Sequence, residues 1–506
     1  MPVVLAAYFL LAKKLPSPTP SLIWLAVASL AFYAFLDIRY LPVLGISVLL
    51  NFGALRLLGR LEPDHRFRVL VLGLAILANL GILAYFKYVD FFIENVNALA
   101  GTDLDFVKQL FPVGISFYTF IQIGCLIDAH NGQVGGLTFP KYLLFATFFP
   151  YVTAGPLVQQ REMFSQMDES PGKRIGFQQI AIGLTLFSFG LFKKLVLADN
   201  VAPFADAMFR TAESGGSLGV LNAWLGAIAY TLQLYFDFSG YTDMALALGF
   251  MVGLRLPLNF NSPLTATSII DFWRRWHITM TRFFTNYVYT PLATSGMRHS
   301  IVKGHSGPRR LLRVVVVPVI ITFTVAGLWH GPGWTFVVFG LIQGVALAVN
   351  HIWREVRTAY HLPEIPRVVA WALTILVFVV SLVFFRAGSI GSAGRVLGAM
   401  TGLTSSGGAT PGEFYGTVVI GAVHVAPVLL WLPVLLAVAL VPRSSHEVFA
   451  GHDVALQSME REAPTADAPR RTTWRPSVAW ALGVGVVLVV ALAMVSENSP
   501  FLYYQF

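Results

Sequence analysis

The chain carries little charge. Asp, Glu, Lys and Arg make up 12% of its 506 residues, whereas hydrophobic residues make up 56%. Soluble globular proteins carry about 25% charged residues, so this chain has too few polar side chains to cover a water-soluble body. The mean hydropathy of +0.67 agrees. The composition excludes an ordinary soluble protein and predicts that a lipid bilayer surrounds much of the chain.

Cysteine is almost absent, since Cys125 is the only one. A single cysteine excludes a disulfide within the chain and any metal site built from several cysteines. Cys125 lies inside the apolar run 121–127. A packing role is therefore favoured over a thiol nucleophile.

Several motifs of nucleotide-binding and hydrolytic enzymes are missing. The sequence contains no Walker A loop, no dinucleotide-binding glycine fingerprint after a strand and no His-Glu-x-x-His. The histidines also lack the pairing expected of haem ligands. We therefore predict no bound metal and no bound cofactor.

Basic residues exceed acidic ones, and the formal net charge is +9. They fall mostly in short stretches between apolar runs, as the positive-inside rule places them, so nucleic-acid binding is not expected. The basic loops near 55–68 and 294–313 are assigned to the cytoplasm. Alternation then predicts that 353–366 and the charged, partly ordered loop 442–475 lie inside and that 387–414 lies outside.

Long apolar runs are abundant. A membrane-spanning helix needs roughly 20 mostly apolar residues. Candidate runs are 21–38, 41–57, 67–86, 140–154, 176–197, 219–236, 312–329, 334–352, 367–386, 415–441 and 476–495. Gly, Pro or charge interrupts 105–130 and 235–292, which is tolerated where protein or a watery cavity satisfies the freed backbone. The sequence predicts an all-α, polytopic transmembrane protein with about 11–13 membrane helices plus re-entrant or short broken helices.

Three polar clusters interrupt these runs, and charged side chains in a bilayer are functional candidates. The first lies at 235–244 and contains Asp237, Ser239, Gly240, Tyr241 and Asp243. We predict a break in the helix here. The break either lines a cavity that binds a polar ligand, or is a satisfied turn between two helices with Asp as a cap.

The second cluster lies at 271–282. On a helix, Asp271 pairs with Arg274 or Arg275, and His277 projects to a different side. These arginines either bind phosphates of a lipid or donor substrate, or belong to an amphipathic interfacial helix with no chemical role.

The third cluster centres on His330, which ends an apolar run and precedes Gly-Pro-Gly. An imidazole titrates near neutrality and suits a general base. Gly331 and Gly333 leave room for a substrate, while Trp329 and Trp334 are placed to wall the site. The alternative is a buried structural histidine in a helical hairpin.

Nine stretches in this order resemble the membrane-bound O-acyltransferase family, in its bacterial alginate and polysaccharide O-acetyltransferase branch. They are 111–120 with 126–128, 149–150 with 154–156, 190–194 with 198–200, 236–244, 257–261, 272–277, 327–331, 383–386 and the tail 500–506. The Gly-Pro-Gly after His330 and the insertion 442–475 depart from the family pattern.

The resemblance implies a helical fold around a central tunnel, with N-terminal membrane helices at 1–104, a catalytic core at 105–390 and C-terminal membrane helices at 391–506. His330 matches the family's invariant histidine and His277 its second conserved polar position, so both are predicted to be catalytic. The predicted substrate- or donor-binding residues are Arg274, Arg275, Asp237, Ser239, Tyr241, Asp243, Trp329, Trp334 and Asn261.

The resemblance also implies the reaction. A cytoplasmic thioester, acetyl-CoA or another, is the donor substrate, and the acyl group moves outward across a bacterial inner membrane. The acceptor is an exported polysaccharide or an extracytoplasmic acetyltransferase partner. Two alternatives stay open: transfer of D-alanine from a carrier protein to teichoic acid, and a non-enzymatic channel or lipid-binding scaffold.

Overall fold

The computed structural model is helical almost throughout the part of the chain it describes. It describes residues 2–62, 65–108, 111–169, 172, 175–404, 409–420, 423–441, 444–449, 451–456, 473–495 and 501–502. The all-α, polytopic class is confirmed. Most of the predicted loop 442–475 and of the family-like tail 500–506 lies outside the described residues.

Helices form most of the elements. In chain order they are α1 Pro2–Lys14, α2 Thr19–Asp37, α3 Leu41–Arg60, α4 Phe67–Leu83, α5 Val89–Ala100, α6 Ile115–His130, α7 Phe139–Thr147, α8 Gln160–Asp168, α9 Phe177–Phe192, α10 Asp199–Glu213, α11 Val220–Met251, α12 Ile269–Trp273, α13 Ile278–Phe284, α14 Thr290–Val302, α15 Gly307–Leu311, α16 Val317–His330, α17 Trp334–Tyr360, α18 Arg367–Arg386, α19 Ile390–Met400, α20 Pro411–Tyr415, α21 Pro427–Leu440 and α22 Val478–Ala493. Short 3-10 helices lie at Ile38–Tyr40, Pro263–Thr265 and Ser445–Phe449, and π-helical turns at Ala84–Tyr88, Lys193–Ala198, Thr285–Tyr289 and Leu312–Val316.

Among the described residues, six helical stretches are long and apolar enough to cross a membrane. They are Thr19–Arg60, Phe67–Ala100, Phe177–Glu213, Gly307–His330, Trp334–Tyr360 and Arg367–Arg386, and the shorter apolar helices α21 and α22 follow. Many of their large apolar side chains are exposed, as in Leu77 at 66% and Val368 at 73%. Such apolar surfaces favour contact with lipid over contact with water. The chain is a multi-pass membrane protein.

The described chain divides into two compact units. The first comprises Met1–Ser188, Tyr241–Leu258 and Ser445–Val484. Its interior contains polar side chains that satisfy one another: Gln122 donates to the Ser47 hydroxyl at 2.9 Å and accepts from the Tyr142 hydroxyl at 2.9 Å. These bonds join α3, α6 and α7. They also satisfy the buried Gln122 amide, which would be costly to bury without hydrogen bonds.

The second unit comprises Phe189–Gly240, Asn259–Ser444 and Gly485–Phe506. It contains α16 and α17, which pack backbone against backbone. A Cβ atom on Gly327 would lie 2.3 Å from the Phe336 carbonyl oxygen, and one on Gly340 would lie 2.3 Å from the Phe323 carbonyl oxygen. Small residues allow such close approach of membrane helices, and this hairpin positions His330 at the end of α16.

The break predicted near Gly240 is wrong, because α11 runs without interruption from Val220 to Met251. The polar side chains do not need a turn: Asp237 forms a 2.7 Å ion pair with Lys194 inside the fold. Gly240 instead permits close packing, since a Cβ there would lie 2.6 Å from the Gly190 carbonyl oxygen.

Two other predicted runs differ from the observed elements. The run 415–441 contains an antiparallel hairpin, β1 Val418–Ile420 and β2 Val423–Val425, before α21 begins. The run 140–154 is only the short helix α7 followed by a turn through Pro150. Apolar composition alone does not separate a helix from a strand or a buried turn.

Candidate active site

His330 is the last residue of α16 and is 6% exposed. Its ring contacts aromatic side chains from the next two helices, at centroid distances of 5.0 Å to Phe385 in α18 and 6.1 Å to Phe339 in α17. The imidazole therefore lies in an apolar, aromatic setting.

His277 lies between α12 and α13 and is fully buried. Its backbone is left-handed, with φ of 45°, a conformation that is uncommon for a residue other than glycine and that clusters at functional sites. The segment predicted as one helix is therefore two short helices separated by the turn 274–277. His277 lies outside the six candidate spans, and burial lowers its pKa to about 3, so its imidazole is neutral at physiological pH.

Asn259 determines which nitrogen of His277 carries the proton. The Asn259 side-chain oxygen accepts from the Thr279 backbone N–H at 3.2 Å and from the Thr279 hydroxyl at 2.9 Å. The same oxygen lies 3.2 Å from His277 Nδ1. Because that oxygen is an acceptor, Nδ1 must be the protonated nitrogen, and the lone pair of the neutral ring lies on Nε2.

The two imidazoles lie close together. Their ring centroids are 6.3 Å apart, and Trp329 lies beside both, 4.9 Å from His330 and 6.1 Å from His277. On the other side of His277 the Phe238 ring makes an edge contact at 4.7 Å. Two buried imidazoles at this separation in an aromatic setting are suited to handle a proton on one small reacting group.

The profile of the MBOAT, membrane-bound O-acyltransferase family matches residues 67–386. A peptidoglycan O-acetyltransferase of Helicobacter pylori is 37% identical over 429 residues, covering 80% of this chain and 78% of the relative. A probable alginate O-acetylase AlgI of Azotobacter vinelandii is 34% identical over 405 residues, covering 79% and 75%.

The chain belongs to the membrane-bound O-acyltransferase family. It is an O-acyltransferase of the membrane, so the alternative of a non-enzymatic channel or scaffold is set aside. A teichoic acid D-alanyltransferase of Streptococcus thermophilus is also similar, 28% identical over 243 residues, which are 48% of this chain and 57% of the relative.

In this acyltransferase the two predicted arginines differ in their surroundings. Arg275 forms a 2.8 Å ion pair with Asp271, four residues earlier, as the spacing predicted. Arg274 is exposed at the surface. Of the two, Arg274 is therefore the better placed to bind an anionic group of a donor, and both roles stay predictions.

The predicted residues of the 235–244 cluster have packing partners. Asp237 and Ser239 are buried in the second unit, at 0% and 2% exposed. Tyr241 and Asp243 belong to the first unit, where the Tyr241 hydroxyl lies 2.6 Å from the Thr153 hydroxyl. The predicted ligand-binding role of this cluster stays untested, although its members are placed to hold the fold together.

The surroundings of the Gly-Pro-Gly segment differ from the prediction. The space beside Gly331 is not open to a substrate, because a Cβ there would lie 2.1 Å from the Phe336 ring. Trp334 is 56% exposed at the start of α17, whereas Trp329 is 4% exposed and contacts both histidines. Of the two tryptophans, Trp329 is therefore the one that lies beside both histidines.

The predicted residue Asn261 is 9% exposed. Its N–H donates to the Arg275 carbonyl at 2.9 Å, which ties the 257–261 stretch to the end of α12. Sequence reasoning missed Asn259, two residues earlier in the same stretch, and the aromatic partners Phe238 and Phe385. All three lie in stretches that resemble the family, but their contacts with histidines 18–55 residues away along the chain were not visible in any local pattern.

Proposed function

We propose that this acyltransferase moves an acetyl group from a cytoplasmic thioester, such as acetyl-CoA, across the membrane toward a hydroxyl of an exported or cell-surface polysaccharide. The observation that carries the proposal is the pair of buried imidazoles 6.3 Å apart. The relatives named for O-acetylation of peptidoglycan and alginate support a polysaccharide as the acceptor. The hydroxyl belongs to the polysaccharide itself or to an extracytoplasmic acetyltransferase that passes the group on.

His330 is the general base of the proposed reaction. Its neutral imidazole takes the proton from the acceptor hydroxyl as the oxygen attacks the carbonyl carbon of the thioester. The carbon–sulfur bond then breaks, and the thiolate leaves with the proton that His330 returns. A base positioned in this way contributes typically about 10²–10⁴-fold to the rate.

His277 orients the acceptor. With Nδ1 donating to Asn259, its Nε2 accepts a hydrogen bond, such as one from a second hydroxyl of a polyol acceptor. Trp329 keeps water away from the thioester and offers an indole N–H to the oxygen that becomes negative. A pre-organised donor of this kind stabilises a developing oxyanion.

Replacing His330 tests the base. The His330→Ala variant should lose acetyl transfer from radiolabelled acetyl-CoA to polysaccharide by at least about 10²-fold, with normal amounts of protein in the membrane. The matched control is His299→Ala, which removes an exposed histidine from α14 and should leave transfer unchanged. Normal acetylation by His330→Ala would overturn the assignment.

A specific observation keeps D-alanyl transfer as the second candidate, since about half of the chain aligns with a teichoic acid D-alanyltransferase. Purified protein in vesicles distinguishes the two donors. Turnover of acetyl-CoA without any D-alanyl carrier protein supports the first proposal, whereas turnover only with a D-alanyl carrier supports the second.

A further inference from the structure

The C-terminal segment of the chain is attached to the middle of α11 by a buried carboxylate. Asp237 accepts a hydrogen bond from the Leu502 backbone N–H at 3.0 Å. Phe501 and Leu502 are 7% and 4% exposed, so both are packed inside the second unit. The two partners of this bond lie 265 positions apart in the sequence.

The carboxylate is itself held by a cation. Lys194 lies 2.7 Å from Asp237 and 2.7 Å from Asp199, and the Asp237 side chain is 0% exposed. A buried carboxylate without a cation is strongly unfavourable, so the Leu502 anchor depends on the Lys194 ion pair. A hydrogen bond to an ionised acceptor is also about twice as strong as a neutral one.

The Phe238 ring lies between the anchored segment and His277, one of the two candidate catalytic residues. The Phe238 ring lies 6.3 Å from that of Phe501 on one side and 4.7 Å from that of His277 on the other. The contact with His277 is an edge-on arrangement, with an interplanar angle of 89°, which is a preferred geometry for ring pairs. Phe238 also packs against Phe260 at 5.0 Å, so displacing Phe501 removes one of its ring contacts and loosens its packing against His277.

We infer that Asp237 is a positioning residue: with Lys194 it holds Phe501–Leu502 against Phe238 and thereby keeps the His277 ring in its working orientation. Asp237, which the sequence predicted to bind a substrate or donor, then acts on the C-terminal segment of the same chain. This inference rests on the proposed function, because it requires His277 to take part in transfer.

Leu502→Pro removes the N–H that Asp237 accepts, since proline has none. Its matched control is Leu502→Ile, which keeps the N–H and an apolar side chain. We expect kcat for acetyl transfer to fall at least tenfold in Leu502→Pro, with the KM for the thioester within twofold of wild type. Leu502→Ile should retain at least half of the wild-type kcat. Wild-type kcat in a Leu502→Pro protein would overturn the inference.

A labelling experiment tests the anchor without using activity. With Cys125 replaced by alanine, Leu502→Cys places a single thiol at the anchored position and keeps its N–H. We expect Asp237→Ala to speed maleimide labelling of this thiol at least tenfold, whereas Asp206→Ala, which removes the ion-pair partner of Arg386, should leave the rate unchanged. Equal rates in the two variants would contradict the anchor.

The two readouts separate this inference from the function on which it depends. If the wild-type protein transfers no acyl group, the proposed function fails while the labelling rates still test the anchor. If the wild type is active and both Leu502→Pro and Asp237→Ala match it in kcat, only the positioning role is overturned.

Discussion

Asn259 is the residue that determines the tautomer of His277. An imidazole has two nitrogens, and the hydrogen bond made by one of them sets the task of the other. The oxygen of Asn259 already accepts from Thr279, so it selects the Nδ1–H tautomer and leaves the basic lone pair on Nε2. A neutral amide also leaves the low pKa of His277 in place, whereas a carboxylate would raise it.

A change at Asn259 is therefore expected to alter the pH dependence of acetyl transfer. In Asn259→Asp the new carboxylate favours the protonated ring and raises the pKa of His277 from its native value of about 3. Protonated His277 cannot accept through Nε2, so the acidic limb of the kcat profile should move to higher pH. The measurement is kcat between pH 5 and 9. This range includes the pKa of an unperturbed histidine, about 6.5.

The control for this prediction is Asn259→Gln, which changes the length of the side chain and introduces no charge. It is expected to lower kcat and leave the shape of the pH profile as in the wild type. An unchanged acidic limb in Asn259→Asp would show that His277 does not need to be neutral for transfer.

At the level of elements, the hairpin of α16 and α17 depends on glycine. Residues 327 and 340 face the opposite backbone so closely that any Cβ would meet a carbonyl oxygen at 2.3 Å. His330 follows Gly327 by one turn of the helix, so the separation of these helices sets where the imidazole lies. Close packing between membrane helices is thus part of how this site is built.

Gly327→Ala should force α16 and α17 apart. Overpacking of this kind costs typically about 1–3 kcal/mol, and we expect a lower thermal midpoint of the detergent-solubilised protein together with reduced acetyl transfer. The matched control is Gly81→Ala in α4, where a new Cβ has no atom within 4 Å. Its midpoint should stay the same or rise, since alanine is favoured over glycine in a helix by about 1 kcal/mol. Equal midpoints for the two variants would show that the hairpin tolerates a wider separation.

At the level of the whole molecule, the distribution of basic residues predicts how the chain crosses the membrane. Three long apolar helices, Gly307–His330, Trp334–Tyr360 and Arg367–Arg386, begin within or after the basic segment 294–313, which is largely helical in the structure. An odd number of crossings places the loop 387–414 on the opposite side, and the positive-inside rule assigns the basic loop to the cytoplasm. We therefore predict that the proposed thioester donor enters from the side that carries this basic segment.

This orientation is open to a labelling test. In a protein with Cys125 replaced by alanine, thiols are introduced at two exposed positions, Ser306→Cys and Leu403→Cys. A membrane-impermeant maleimide should label position 403 from outside in intact cells and position 306 only in inside-out vesicles. Labelling of both positions from the same side would contradict the predicted number of crossings.

The sequence alone was sufficient for the membrane class and the helical fold. Scarce charge and long apolar runs determine how each segment partitions between water and lipid, and that is a property of local composition. Several of the predicted runs therefore correspond to observed helices, for example 334–352 within α17 and 367–386 as α18. His330 stood out for the same reason, as a titratable group at the end of an apolar run.

Only the tertiary structure decided which polar residues face chemistry and which hold the fold. Asp237 and Asn259 both interrupt apolar sequence, yet one pairs with Lys194 and the Leu502 backbone while the other selects the tautomer of His277. Gly240 and Gly331 suggested a break and an open space, but a neighbouring backbone occupies one position and the Phe336 ring the other. Burial, partners and close approach depend on residues distant in the chain, so a local pattern does not contain them.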